Sequence, residues 1–446
     1  MKFGVIDLVS RDSNCAANKD LSGGMGTRSH FGDGLLARIM QRAKRRSVVV
    51  PMLSAAYLVP VIRNRGHSCV YSQDIPEQSC DVFLINTSII DYRNETAFAE
   101  RLKARHPRSK VGFFGTFVSA KPELFAKHSD FLVVGEIEAV CLYDDIGRED
   151  FFSGEIRPRR TLDMDDLPSP DYGAFPYKRF SYWPALHRRP FVTLHASRGC
   201  PFACGYYCPH SVVQGSVYRS RSVDLLIQDV REMIARYGAR SIQFRDPVFT
   251  LRKDRVHELC QGFHSAGVRV QWGCETRVDT LDRDLLTAMR DAGLRSINLG
   301  IEAFDERVMA LSRRKAAGRE HQNDMVKFCD RIGIKVTAFY IIGLPGDTPE
   351  TVRRTIDYAR KLNTHLAQVT ISTPYPGTEY YDELARNNLL LTDDYEQYDI
   401  NHLVFRHESF SPRELHRVRE RFYREYYLRP SYLGMFLKCR IRDFLS

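Results

Sequence analysis

The sequence predicts an α/β protein with two parallel-sheet units in tandem: a Rossmann-like, doubly wound N-terminal domain, then a partial (β/α)6 barrel, then a helical C-terminal cap. Three observations carry this prediction. Short apolar runs alternate with helix-periodic segments in two successive series, a Pro- and Asp-rich connector separates the series, and the C-terminal stretch loses the alternation. The chain has 446 residues, 43% of them hydrophobic and 27% charged, which suits two or three domains with sizeable cores.

In the first series, residues 1–150, the runs Phe3–Leu8, Cys69–Tyr71, Val82–Asn86, Val111–Phe114 and Phe131–Val134 read as strands. Leu53–Arg65 and Glu95–Arg105 read as helices between them. Gly23-Gly-Met-Gly26 and Ser29–Gly34 fall in an unusually long loop, which reads as a phosphate cradle or, with no complete G-x-G-x-x-G, as a flexible connection. Residues 151–188 form the linker, with turns in Asp163-Met-Asp-Asp-Leu-Pro-Ser-Pro-Asp-Tyr172. The second series, 189–385, offers six strands: Phe191–Ala196, Ser241–Phe244, Arg269–Gly273, Ser296–Gly300, Lys335–Ile342 and Gln368–Thr373. Five helical segments separate them: Val223–Arg236, Asp254–Ala266, Asp282–Asp291, Glu320–Arg331 and Pro349–Leu362. Six units suit an incomplete barrel, with its chemistry at the C-terminal strand ends. In the last region, 386–446, Pro412–Tyr427 is helical, basic and aromatic, and Tyr432–Leu445 is amphipathic and basic. That last segment reads as a cap on the barrel or as a helix touching a membrane surface.

Composition excludes several classes. No run of about 18 apolar residues implies a membrane span, and the N-terminus lacks the features of a secretory signal. Eight of the eleven cysteines, Cys15, Cys69, Cys80, Cys141, Cys260, Cys274, Cys329 and Cys439, are scattered singly, which suits buried thiols in a reducing cytoplasm. The formal net charge is +10, with basic runs at Arg42–Arg46, Arg157–Arg160 and Arg413–Arg442. No nucleic-acid motif accompanies them, so solvated helix faces or an acidic partner account for these runs.

The remaining three cysteines fall within nine residues: Cys200-Pro-Phe-Ala-Cys204-Gly-Tyr-Tyr-Cys208. An odd triplet cannot close on itself as disulfides, but it can hold three irons of a four-iron cluster and leave the fourth open. A helical face of cysteines at i, i+4, i+8 is the alternative, and Pro201, Gly205 and Pro209 oppose a helix there.

This loop resembles the cluster loop of radical S-adenosylmethionine (SAM) enzymes. The resemblance continues through Tyr218–Arg221, Phe244–Phe249, Trp272–Asp279, Leu299–Ala303, Ile342–Asp347 and Thr373–Thr378, in the order of the subgroup with an N-terminal cobalamin-binding-type domain. It implies a [4Fe–4S] cluster on Cys200, Cys204 and Cys208, SAM chelated at the open iron, and hydrogen abstraction by a 5′-deoxyadenosyl radical. Two departures stand out. No Asp-x-His-x-x-Gly cobalt-ligand motif is present and Thr116 and Phe117 follow Gly115 where a double glycine is common, so cobalamin is less expected than not. The second spacing is Cys-x-x-x-Cys rather than Cys-x-x-Cys, which resembles the radical SAM C3′-deoxygenases of aminoglycosides. That likeness implies a 1,2-diol dehydratase removing the 3′-hydroxyl of a paromamine-like substrate, an external electron donor, and a separate NAD(P)H-dependent dehydrogenase for the ketone product. The alternative is a cobalamin-dependent methyltransferase.

The expected site follows from charge and position at strand ends. A SAM ammonium wants a carboxylate and a SAM carboxylate an arginine, which selects Glu302 and then Arg277 as cofactor ligands. Gly343, Pro345 and Gly346 form a turn that lets backbone approach the adenine, or a plain turn. Asp246, Glu275 and Tyr375 are the candidate acid–base groups. Asp279 and Glu379 are candidate substrate ligands and, with Asp246, Glu275 and Glu302, would make an anionic pocket for a polycationic sugar.

Overall fold

The first alternation folds into a six-stranded, all-parallel sheet in this computed structural model, which describes residues 1–8, 16–32 and 34–445. Its strands are β1 (Lys2–Ile6), β2 (Ser68–Ser72), β3 (Val82–Asn86), β4 (Lys110–Phe114), β5 (Phe131–Val133) and β6 (Gly154–Ile156). They lie side by side in the order β2-β1-β3-β4-β5-β6. All five residues of β3 are buried, as expected for a strand covered on both faces. The sheet runs past residue 150, because β6 pairs with β5. Cys15 lies outside the described residues, and nine of the other ten cysteines are free and either buried or half-buried around these cores, with Cys439 on the last helix.

The connection after β1 departs from a simple βα turn. The chain forms a two-stranded hairpin, Ala16–Asn18 with Thr27–Ser29, then helix α1 (Leu35–Ser47), and only then the sheet-packed helix α2 (Leu53–Asn64). The other helices of this domain are α3 (Tyr92–Arg105), α4 (Thr116–Ala120) and α5 (Ile137–Tyr143). The hairpin is pinned onto the C-terminal edge of the sheet. Lys19 Nζ lies 2.7 Å from Glu95 Oε1 and 3.4 Å from Asp91 Oδ2. Met25 is fully buried in the cluster that holds Phe83 and Phe117. Thr116 donates to the Gly23 carbonyl at 2.7 Å, and the Ile89 amide to the Met25 carbonyl at 2.8 Å. Open α/β sheets hold ligands at this edge, and here protein fills it.

The second alternation is an open barrel of six parallel strands in sequential order: β7 (Phe191–Leu194), β8 (Ser241–Phe244), β9 (Gln271–Thr276), β10 (Leu294–Glu302), β11 (Lys335–Ile342) and β12 (Leu366–Ile371). Helices α6 (Val223–Tyr237), α7 (Lys253–Ser265), α8 (Arg283–Asp291), α9 (Arg319–Ile332) and α10 (Pro349–Leu362) follow β7 to β11 in turn. Asp282 caps α8 and a Thr348/Thr351 capping box starts α10.

An open barrel leaves two edges, β7 and β12, and the C-terminal region covers the second. Helix α11 (Glu379–Arg386) follows, then α12 (Pro412–Tyr427) covers that edge with tyrosines. Tyr423 Oη accepts the Val369 amide at 3.2 Å and donates to its carbonyl at 3.1 Å; Tyr427 does the same for Ala367 at 3.0 and 2.7 Å. The aromatic character of this helix is edge protection. Helix α13 (Pro430–Leu445) packs behind it through the Tyr432–Tyr427 ring contact and a Lys335–Asp443 ion pair. No helix of the described residues is long and apolar enough to cross a membrane.

Replacing Lys19 by Met leaves the buried Glu95 carboxylate without its cation, which costs about 3 kcal/mol. The expected result is a lower midpoint in denaturant unfolding. An unchanged midpoint would show that the hairpin is held by its apolar contacts alone.

Candidate active site

The cysteine loop begins at the C-terminal end of β7. Asp246, just past the end of β8, fixes its start: the carboxylate accepts from the Ala196 amide at 2.8 Å and from the Ser197 hydroxyl at 2.5 Å. Arg198 is held by Glu136 at 2.9 Å and Glu138 at 2.8 Å, both from the first domain. Gly199 then turns with φ +81°, and a Cβ there would stand 2.0 Å from the Val217 carbonyl oxygen. No side chain fits at that position.

The three cysteines sit on one short turn. Cys204 is buried, Cys200 and Cys208 half-buried. The Cys204 carbonyl accepts from the amides of both Tyr207 (3.2 Å) and Cys208 (3.0 Å). The longer second spacing is therefore taken up as one helical turn, not as a bulge. Among the described residues no three His, Cys, Asp or Glu side chains converge on a single metal ion. A cluster differs, because each thiolate holds its own iron. Burial and the neighbouring Cys204 push the Cys208 thiol up to about 12. Deprotonation here needs a bound cation to accept the sulfur.

The cluster loop opens onto a cavity of about 670 Å3, lined among others by Cys204, Tyr207, Cys208, Arg245, Glu275, Glu302, Arg314 and Tyr375. That volume is within the usual range of small-molecule sites, about 300–1,000 Å3. Phe339, Ile341, Thr337, Gln368 and Thr370 contribute from the barrel interior; Met40, Ala43 and Lys44 from α1 and Leu433 and Phe436 from α13 form its lid.

Glu302 lies in the cavity wall as expected, and the backbone explains how. The pairing of β10 with β11 shifts register between Gly300 and Glu302, and Glu302 adopts φ +65°, a left-handed conformation rare for a glutamate. Its Oε1 lies 3.2 Å from Arg314 Nη2, which also donates to the Gly300 carbonyl at 2.9 Å. Arg314 was not foreseen; nothing in the run Ser312-Arg-Arg-Lys315 distinguishes it from a surface arginine. Glu302 and Arg314 together offer a carboxylate for an ammonium and a guanidinium for a carboxylate beside the cysteines.

Several expectations are corrected. Arg277 is not free for a cofactor: it holds Asp279 through two hydrogen bonds, 2.9 and 2.6 Å, and stacks on Phe202. Asp279 is thereby withdrawn from substrate binding. Glu379 sits on the surface, bound by Arg313 at 2.6 and 2.7 Å. Gly343, Pro345 and Gly346 form a plain turn outside the cavity. The Asp347 carboxylate closes it by accepting the Gly343 and Leu344 amides at 2.9 and 3.1 Å, and Gly343 packs against Leu415 of α12. Asp246 is wholly buried, its acid pushed up to about 6 by desolvation, and supports the loop instead of facing the cavity. Glu275 and Tyr375 do line the cavity. Glu275 is ion-paired to Arg245. Arg245 also meets Asp20 of the hairpin at 3.5 Å, and burial raises that acid to about 6. The pocket expected to be anionic is thus close to neutral, each cavity carboxylate having its own arginine.

A three-cysteine loop at the strand ends of a parallel open barrel defines a class of cluster-bearing barrel enzymes. Residues 194–359, the greater part of the barrel, match the radical SAM superfamily. A radical SAM match implies a [4Fe–4S] cluster and SAM. An uncharacterized methyltransferase of Pyrococcus horikoshii is 31% identical over 305 residues, covering 66% of this chain and 65% of that protein. The anaerobic magnesium-protoporphyrin IX monomethyl ester cyclase of Rubrivivax gelatinosus is 26% identical, covering 61% and 48%. The chain thus spans about half to two thirds of these relatives. Its fold is that of the cobalamin-dependent S-adenosylmethionine radical enzyme OxsB, solved with aqua-cobalamin and S-adenosylmethionine (TM-score 0.68, 11% identity, 92% of this chain and 64% of that one). It is also that of the radical S-adenosylmethionine methyltransferase TsrM from Kitasatospora setae, solved with cobalamin and a [4Fe–4S] cluster (TM-score 0.62, 13% identity, 86% and 78%).

Two variants test this site. Gly199→Ala is expected to abolish cluster incorporation, read as lost iron and lost visible charge-transfer absorption, because the new methyl has no room. Glu302→Gln is expected to keep the cluster and weaken SAM binding about tenfold; unchanged SAM affinity would remove Glu302 from the cofactor site.

Proposed function

We propose that the protein is a radical SAM enzyme whose 5′-deoxyadenosyl radical acts directly on a small substrate, with no corrin between them. A bound cluster and SAM supply that radical on one-electron reduction by an external donor. The chain's own residues do the rest. Glu302 and Arg314 orient the amino-acid end of SAM, the lid of α1 and α13 excludes water, and Glu275 offers a carboxylate in the substrate cavity. The 1,2-diol dehydration suggested by the cysteine spacing is a reaction of this kind.

The observation that carries this reading is the filled edge of the first sheet. The space between the hairpin, that edge and the barrel is about 90 Å3, well below the roughly 300–1,000 Å3 of ordinary ligand sites, and cobalamin is larger than an ordinary ligand. Gly23, Gly24 and Gly26 are packed so that a Cβ on any of them would meet His210, Thr116 or Ile90 at 3.0 Å or less. That packing supports a reaction without a corrin.

A second reading, cobalamin-dependent methyl transfer, is favoured by the relatives, several of which are named methyltransferases. One experiment separates the two. The anaerobically reconstituted protein, given SAM and dithionite, is expected to form 5′-deoxyadenosine at the same rate with and without hydroxocobalamin. Products from candidate diols, paromamine among them, are then read by mass: loss of water supports dehydration. Retention of one corrin per chain, with S-adenosylhomocysteine and a methylene gain, would overturn the first reading in favour of the second.

A further inference from the structure

Lys44 is the one lysine in the wall of the large cavity. It sits on the last turn of α1, half-buried, with its ammonium 5.4 Å from the centre of the Phe31 ring. No Asp or Glu of the described residues pairs with it, and the one charge that shifts its ammonium is another cation, Arg419 of α12. Arg419 is itself almost wholly buried. It too lacks a carboxylate: it donates to the carbonyls of His30 and Val369 and to Asn401 Oδ1, and its Nη1 has no partner. Elsewhere in the site every charge is matched, Glu302 by Arg314 and Glu275 by Arg245.

Two neighbouring cations without a counter-ion are an expensive arrangement, because burial penalises each charge and the two repel. Burial and Arg419 together lower the Lys44 ammonium to about 8. Such a cost persists where a ligand supplies the missing charge. A lysine that merely reaches past the lid to water would not line the cavity. Phe31 beside it and Met40, Tyr432 and Phe436 of the same cavity would also dry the contact once the cavity fills, strengthening any ion pair there.

We infer that Lys44 receives an anionic group, a carboxylate or a phosphate, of the molecule that occupies the cavity. The substrate then carries this group at the lid and presents its reacting carbon to the cluster end, where Cys204, Cys208, Glu302 and Arg314 lie. This deepens the proposed function and rests on it only in taking the cavity as the substrate site. A net charge of +10 favours an anion over a polycation at long range.

Binding alone tests the inference, with no turnover needed, so its failure is separate from that of the radical reading. Octanoate, octyl phosphate, octanol and octylamine are titrated calorimetrically into the cluster-loaded protein. At least one of the two anions is expected to bind more tightly than octanol and octylamine, and to lose about tenfold or more in affinity in Lys44→Met. Lys44→Arg, which keeps the charge, is expected to retain most of it. Whichever anion binds tighter assigns the class. Equal affinity of Lys44→Met and the parent protein for both anions, no binding of either, or a preference for octylamine would overturn it. A Lys44→Met variant with normal SAM binding excludes misfolding as the cause of a loss.

Discussion

Lys19 reaches Glu95 at 2.7 Å in a place almost without water, and the geometry of the whole site leans on that contact. The pair holds the hairpin against the edge of the first sheet, with the Ser88 amide and hydroxyl completing the carboxylate's hydrogen bonds at 2.9 Å each. A buried ion pair contributes little net stability but is costly to break. Its effect is therefore one of specification: the hairpin has one place to lie. From there Asp20 meets Arg245 of the barrel, Gly23 packs against His210 of the cysteine loop, and α1 is delivered over the cavity mouth.

The same logic recurs in the arginines that join the two domains. Arg198 and Arg219 both take Glu136, from the segment after β5, and Arg221 takes Asp229 while donating to the carbonyls of Met164 and Leu167 in the connector. A planar guanidinium offers several fixed donors, so one side chain can bind a carboxylate and a carbonyl at once. These pairs lie under the cysteine loop. They orient a loop that has almost no regular structure of its own, and they tie the first domain to the barrel.

Both sheets were legible in the sequence because parallel strands buried on two faces leave continuous apolar runs such as Val82–Asn86. The cysteine loop was legible because cluster ligation needs thiolates at short spacing. Helix α12 was legible as a helix, but the role of its tyrosines was not, since pairing with the β12 edge depends on where the barrel stops. The site's charges were read poorly for a related reason. Asp246, Arg277 and Asp279 stand at strand ends as substrate ligands would, yet each is satisfied by a neighbour two residues away or from across the sheet. Sequence places a charge at a strand end; only the fold says whether a partner has already taken it. The hairpin escaped because its strands are three residues each, and α1, although Leu35, Leu36, Ile39, Met40 and Ala43 recur in helical period, because it follows a glycine-rich stretch that reads as loop.

The longer cysteine spacing does more than set the distance between ligands. With two tyrosines between Cys204 and Cys208, the turn sends them to opposite sides. Tyr206 goes outward, donating to Glu383 of α11 at 2.8 Å and carrying Arg313 on its ring face. Tyr207 goes inward and lines the cavity beside Glu302 and Arg314. Gly205 leads into the turn, and the two tyrosines after it supply the outer anchor and the inner wall. Tyr207 thus places a phenol at the cluster end of the cavity, beside Glu302 and Arg314. The tyrosine next to Cys208 is therefore a determinant of cavity shape, and the one before it of how the loop is anchored to α11.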